Sequence, residues 1–531
     1  MVCTARAASA LLLVVAAGLL LHRQAEAQTC TITGGSAASP TNLPGAISNA
    51  SCTNFVLGDG FYTTASITRP GITVVAANKC QAKVAPELAI KANNVTVNGV
   101  SITSSGTALS VSNPGARVLN NCIQGFGKTT YANGIWVYLS ALDPSNRVIV
   151  EGNTLDDWGG VQYAGGIAVG KAADNPRAQS QIGIEIKNNR VTNGPTAGSL
   201  WSAGVQIFHP ALVHGNYVHR VSGSAIQNKA WNSHIICNEA TNIRFDGALY
   251  NRDDSNNIWE YNIVHDSDVG IDHFMGNNVV YRGNIIYNVT YFGRIKNQGI
   301  GTNNLLIGDN TFYNSTGWAS WIWDTASNGP LQNILWRRNI WHTARGSAIN
   351  PNSGAVGAWS EAENIFWQTV QPPGSTSLVT NPQLVNPPTN FTAQAPQAVG
   401  KGAQWPLPCD GVTEPPPSPP SPPSPPSPSV IIFSDNFESG LNWTRTGNTT
   451  WYTGSPKVGT HSVRLRQTGQ IQRTINLAGR TGISVAFKMA ANALEGSEKV
   501  QAQYFDGTSW RTMAEIVNGS SQENNQLHQF S

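Results

Sequence analysis

Four short segments of this 531-residue chain, AIQNKAW, ALYNRDD, IDHFMGN and RIKNQGI, carry side chains whose types and spacing could do chemistry. The step from Lys229 to Arg252 recurs from Gln227 to Tyr250, from Tyr250 to His273 and from His273 to Lys296. If that step makes one turn of a coil, such side chains stack on one face, about 4.8 Å apart from layer to layer. Two cations in neighbouring layers repel each other unless an anion lies between them, and the carboxylates of a uronic acid polymer are such anions. A lysine beside other cations has a lowered pKa and can act as a base. A base and a cation are what proton abstraction next to a carboxylate needs: one takes the proton, the other holds the charge that develops. Lys229 is read as the catalytic base and Arg252 as its catalytic partner. Asp254, His273, Arg294 and Lys296 are read as substrate-binding neighbours.

The elements that must position these residues are visible as a repeat. An apolar, alternating segment ending in Asn and one more apolar residue recurs as VIVEGNTL (Asn153), IEIKNNRV (Asn189), ALVHGNYV (Asn216), VVYRGNII (Asn284), LLIGDNTF (Asn310) and ILWRRNIW (Asn339), with looser copies at Asn121, Asn238, Asn262 and Asn364. From Asn189 onward the spacing settles to roughly 22–29 residues, and such a period with strand-like alternation is one coil of a solenoid of parallel strands. Asn suits the column because it tolerates left-handed backbone and its amide can bond the next Asn of the stack. The fold class expected is all-β, a parallel β-helix, right-handed by the general rule for parallel crossovers. Val150, Ile186, Val213, Tyr281, Ile307 and Trp336 are expected to point into the core. His219, His265 and His342 each fall three residues after a column Asn and are read as structural, as is most of the tryptophan-rich stretch Trp318–Trp367.

A formal net charge of +3 and 12% charged residues argue against nucleic acid as a partner. Residues 1–27 read as a secretory signal, with Arg6, the apolar run Ala7–Leu21 and an Ala25-Glu26-Ala27 cleavage site. The run is shorter than a membrane span, and no later segment qualifies. The expectation is a secreted monomer of the extracellular matrix or cell wall. Beyond Cys3 there are six cysteines, an even number that predicts disulfides in a secreted chain, with Cys30 and Cys52 the closest pair. Eight Asn-x-Ser/Thr sites, Asn288 and Asn314 among them, are acceptors for glycosylation.

The chain divides accordingly. Residues 28–410 form the β-helix, with an N-terminal cap to about residue 70, coils over about 72–367, and a closing segment expected to cover the final coil. A Ser/Pro-rich tract over 411–429 reads as an extended polyproline spacer. Residues 430–531 alternate in a different style and read as a small β-sandwich that binds carbohydrate and lacks an obvious last strand.

The asparagine column, the opening GDGFYTT and the closing NPQLVNPPTNF with its GKG together resemble secreted proteins of the pectin-lyase-like fold, over about residues 30–405. That fold hosts polysaccharide lyases, polygalacturonase-type hydrolases, epimerases and wall proteins, so it implies little about chemistry. Lysine followed in the next coil by Gly-x-x-x-x-Arg (Gly247 to Arg252) is similar to the alginate lyase and chondroitinase B family, which implies Lys229 as base and Arg252 as its partner. The same likeness implies calcium, yet its acidic ligands are not identifiable, since Ser222 and Ser224 stand where they are expected. Asp253-Asp254, His273 and Arg294-Ile295-Lys296 follow the order of the polygalacturonase motifs, an inverting hydrolase that needs two carboxylates. The resulting expectation is a carbohydrate-active protein that cleaves an acidic polysaccharide by β-elimination. The alternatives are a non-catalytic wall-polysaccharide binder, to which the Ser-Pro stalk and the missing acidic ligands point, and a polygalacturonase-like hydrolase.

Overall fold

The structure is a computed structural model. It describes residues 28–409, apart from 161–162, 172–180, 196–201, 253–254, 298, 319, 324–328, 352–357, 373–374 and 376, and most of 433–530. The leader and the Ser/Pro tract lie outside the described residues. Two compact units are present, one up to Pro419 and one from Pro420.

The first unit is a parallel β-helix. One face is a 14-stranded sheet whose strands follow strictly in chain order, from Thr29–Ile32 to Trp359–Ala362. The second face follows the asparagine column in each coil, as in Ile263–His265, Ile285–Val289 and Ile340–Arg345. The third face, which carries the candidate residues, includes Asn133–Val137, Gly165–Val169, Ser202–Ile207, the end of Tyr217–Asn228, Gly247–Asn251, Val269–His273 and Tyr291–Lys296. Each strand pairs in parallel with its counterpart one coil away. Among the described residues the only helix is the five-residue Leu43–Ile47, between the first two strands of the first face. The solenoid thus starts at Thr29, ahead of the expected boundary near residue 72.

Alternation decides what is inside. Val150, Ile186, Val213, Tyr281 and Ile307 are wholly buried and Trp336 nearly so, all in one continuous core. In the last coils aromatic rings fill that core, with Phe312 and Trp341 stacked at 4.2 Å and Trp341 beside Trp336 at 5.3 Å.

The asparagine column runs unbroken from Asn121 to Asn364, each buried Nδ2 donating to the next Oδ1 at 2.9–3.0 Å. The same Oδ1 also accepts the preceding asparagine's backbone N–H, as from Asn238 to Asn262 at 3.0 Å. Asn therefore satisfies the buried polar backbone of the corner, which an apolar residue would leave unpaired. The left-handed backbone lies one residue earlier than expected, at Asn120, Asn188, Cys237, Tyr261, Asp309, Arg338 and Glu363 and at Gly152, Gly215 and Gly283. The column Asn is selected for its amide, and the turn for its preceding residue. Outer columns repeat the device: Asn314 donates to Asn288 at 2.7 Å, and Asn278 to Asn256 at 3.0 Å.

The closing segment pairs Leu378–Val379 with the last coil and then turns back along the second face. Ala395 and Ala398 pack on Ile340 and Ile365, and Phe391 and Ala403 on Ile285. Gly402 (φ +72°) brings its backbone so close that an added Cβ would sit 2.7 Å from Ile340 Cδ1. The Cys237–Cys409 disulfide anchors this return, while Cys30–Cys52 ties neighbouring coils and Cys80–Cys122 ties coils two apart. The segment therefore clamps the side of the solenoid as well as its end. Among the described residues no helix is long and apolar enough to cross a membrane.

In the second unit the described strands form three antiparallel pairs: Thr444–Tyr452 with Ser462–Gln472, Phe487–Met489 with His528–Phe530, and Lys499–Phe505 with Trp510–Val517.

Candidate functional site

Register along the third face sorts the sequence candidates. Gln206, Gln227, Tyr250, Asp272, Arg294 and Trp321 are successive partners in one row. Their neighbours Ile226, Leu249 and Ile271 belong to the core, so this row faces away from it. Asn228, Asn251, His273 and Ile295 form the next row, which points inward. A second outward row follows, because Lys229 N–H donates to Ile207 (2.7 Å), Arg252 N–H to Asn228 (2.9 Å) and Phe274 N–H to Asn251 (2.9 Å). Lys229, Arg252, Phe274 and Lys296 are thus successive members of one outward row.

One expectation is corrected by a single position. The coil after Tyr250 is shorter by one position than the step from Lys229 to Arg252, so Tyr250 pairs with Asp272 and not with His273. A slip of that size reverses the face of a strand side chain. His273 is wholly buried, edge-on to Tyr281 at 6.1 Å, and burial pushes its imidazole down to about 3, so it is a neutral core residue and not a substrate ligand. Asp254, with Asp253, lies outside the described residues.

Arg252, Arg294 and Lys296 are brought together with two carboxylates, Asp246 and Asp272, that are not among the expected site residues. Arg294 is ion-paired with Asp272 and lies 3.7 Å from Asp246. Burial, reinforced by the charge of Asp272, pushes the Asp246 carboxyl up to about 6. Burial likewise raises Asp272 against the pull of Arg294 and Lys296. Lys296 is lowered, first by burial and then by Arg294 and Arg252, with the aspartates opposing. Its Nζ sits 3.9 Å from the centre of the Phe274 ring, and Arg252 approaches the same ring to 5.7 Å. Tyr250, buried and edge-on to Phe274 at 5.3 Å, is raised by burial and stays protonated. Lys229 caps the neighbouring ring of Phe208 at 5.1 Å. Among the described residues three cations therefore meet two carboxylates, with Lys229 one layer further along the row, a surplus of positive charge that fits an anionic ligand.

The missed residues left partial signals. Tyr250 lay in the spacing pattern but has no charge to draw attention, and Asp272 becomes visible only if that coil is taken one position shorter than its neighbour. Asp246 precedes the strand and lies outside the four segments whose spacing drew attention. Ser222 and Ser224 are buried, and among the described residues no three His, Cys, Asp or Glu side chains converge as metal ligands. The serines at these two positions do not supply the carboxylates that calcium prefers, and no step below is routed through a metal. The repeat histidines hold structural contacts: His265 stacks on Tyr287 at 4.9 Å and reaches Asp266 at 2.7 Å, and His342 packs on Tyr313.

No family model matches the chain, and no curated relative does. Solved structures do. A PL6 alginate lyase in complex with a trisaccharide superposes with a TM-score of 0.51 at 13% identity, covering 71% of this chain and 92% of that one. The PL6 family alginate lyase AlyGC superposes with a TM-score of 0.53 at 15% identity, covering 72% of this chain and 58% of that one. Identity at this level speaks to architecture alone: the first unit of this chain is a parallel β-helix of the pectin-lyase-like fold.

Proposed function

We propose that the third face binds an acidic extracellular polysaccharide and cleaves it by β-elimination. The observation that carries this reading is the outward row Lys229, Arg252, Phe274 and Lys296, with Arg294 beside it, which sets several cations over neighbouring layers of one rigid sheet. In the proposed step Lys229, in its neutral form, removes the proton α to a uronate carboxylate. Arg252 and Lys296 face that carboxylate and stabilise the charge spreading onto it. The electron pair of the broken C–H bond forms the C=C bond, the glycosidic C–O bond breaks, and the leaving oxygen recovers a proton from the Lys229 ammonium. Fold likeness to the alginate lyases supports this reading, and alginate heads the substrates to try. The hydrolase reading loses its histidine, since His273 is a core residue, while its carboxylates Asp253 and Asp254 lie outside the described residues. Non-catalytic binding is the second reading, favoured by the serines at 222 and 224. Secretion, by way of the leader, belongs to the same proposal. The test is incubation with alginate, polygalacturonate and other uronans, following ultraviolet absorbance of an unsaturated uronate. Product from one polymer is expected; binding without product from any would leave the binder.

A further inference from the structure

The row that holds Lys229 and Arg252 continues toward the N-terminal coils. Tyr138 N–H donates to Val111, Gly170 N–H to Val137 and Phe208 N–H to Val169 at 2.7–2.8 Å, so Tyr138, Gly170 and Phe208 precede Lys229 in register. Val137 is core, which turns both its neighbours, Trp136 and Tyr138, outward. Their rings are stacked at 5.5 Å with planes 28° apart, and Lys171 places its Nζ 4.7 Å from the centre of the Tyr138 ring. Trp136 is fixed by its indole N–H, which donates to Gly170 at 3.0 Å. Gly170 (φ +73°) leaves the layer beside Tyr138 without a side chain, and a Cβ there would press on His209 at 2.8 Å.

We infer that Tyr138, with Trp136 and Lys171, is a distal subsite that stacks one sugar ring of the polysaccharide and pairs its carboxylate, so that the chain lies along the solenoid axis. The inference rests on the proposed use of the third face. Three observations point to a sugar. The rings are partly exposed and stacked on each other, with Trp136 held by a hydrogen bond, which lowers the entropy cost of ordering a platform. A cation stands at the ring, where a uronate carboxylate needs a partner. Tyr138 lies three layers from Lys229 along one row, about 14 Å at the spacing of adjacent strands, so one polymer chain can occupy both. Trimers that fill the Lys229–Lys296 region fall short of Tyr138, and longer oligomers reach it.

The test is titration of the full chain carrying Lys229→Ala, which holds substrate uncleaved, with trimers and hexamers of alginate and of galacturonate. Hexamers are expected to bind more tightly than trimers. Adding Tyr138→Ala should erase that advantage, a loss of about tenfold for hexamers with no change for trimers. Lys171→Ala, at an exposed position that folding does not need, should give a smaller loss with the same dependence on length. Equal losses for trimer and hexamer, or none, overturn the subsite. Cleavage by the parent chain is followed separately. Hexamer selectivity that depends on Tyr138 without any cleavage would keep the subsite and remove the lyase reading, and cleavage without that selectivity would do the reverse.

Discussion

Replacing Asp246 by Asn should stabilise the protein, and the size of the effect follows from its surroundings. The side chain is almost wholly buried, and among the described residues its Oδ2 has no hydrogen-bond partner. Its ion-pair partner is Arg294 at 3.7 Å, a guanidinium already paired with Asp272. Burial, then Asp272, raise the carboxyl from an ordinary 3.8 to about 6. Between those values the folded state binds more protons than the unfolded one, so stability falls as pH rises, at about 1.4 kcal/mol per pH unit. Above about pH 6 the loss is complete, up to about 3 kcal/mol. Asp246→Asn keeps the shape and removes the charge. Urea unfolding of parent and variant should give similar midpoints at pH 4 and a higher midpoint for the variant at pH 8. An equal or lower variant midpoint at pH 8 would refute the reasoning and mean that the ionised carboxylate is well satisfied. Perturbed carboxylates cluster at functional sites, and this one, beside Arg252, Arg294 and Lys296, supports the proposed use of the third face.

Two further outcomes follow from the scaffold. Asn262→Ala removes the acceptor shared by the Asn238 backbone N–H and side-chain amide, leaving that buried backbone N–H unpaired, while the Ile235 carbonyl keeps its partner in the strand ladder. The expected loss is about 2 kcal/mol, read as a lower urea midpoint, and an unchanged midpoint would mean that water replaces the amide. Glu185 is held down to about 2 by hydrogen bonds from His214 and Lys187. Its folded value is depressed, so its contribution is complete above about 4.5 and lost as pH falls through about 2. Glu185→Gln should flatten the acid limb of the stability profile and lower stability at pH 7.

The solenoid was legible because its determinants are local and periodic: the asparagine column and the alternation around Val213 and Trp336 predict the corner and the core without any long-range information. What the period could not supply was coil length to the single position. The longer of two neighbouring coil lengths places His273 outside and the shorter places it inside, and only the strand pairing at Asp272 decides between them. The path of the closing segment was hidden for a different reason. Phe391, Ala395 and Ala398 find partners far away in sequence on the second face, and the Cys237–Cys409 bridge spans 172 residues. The acidic half of the site was missed because Asp246 and Asp272 acquire their properties from burial and from Arg294, neither of which composition reveals.

The most direct test of the central claim is the rate of unsaturated product formation by Lys229→Ala on the uronan that the parent chain cleaves, alongside the urea midpoint of both proteins. Product should disappear while the midpoint stays within about 0.5 kcal/mol of the parent, as for a partly exposed side chain outside the core. Product at the parental rate, with the midpoint unchanged, would contradict that claim.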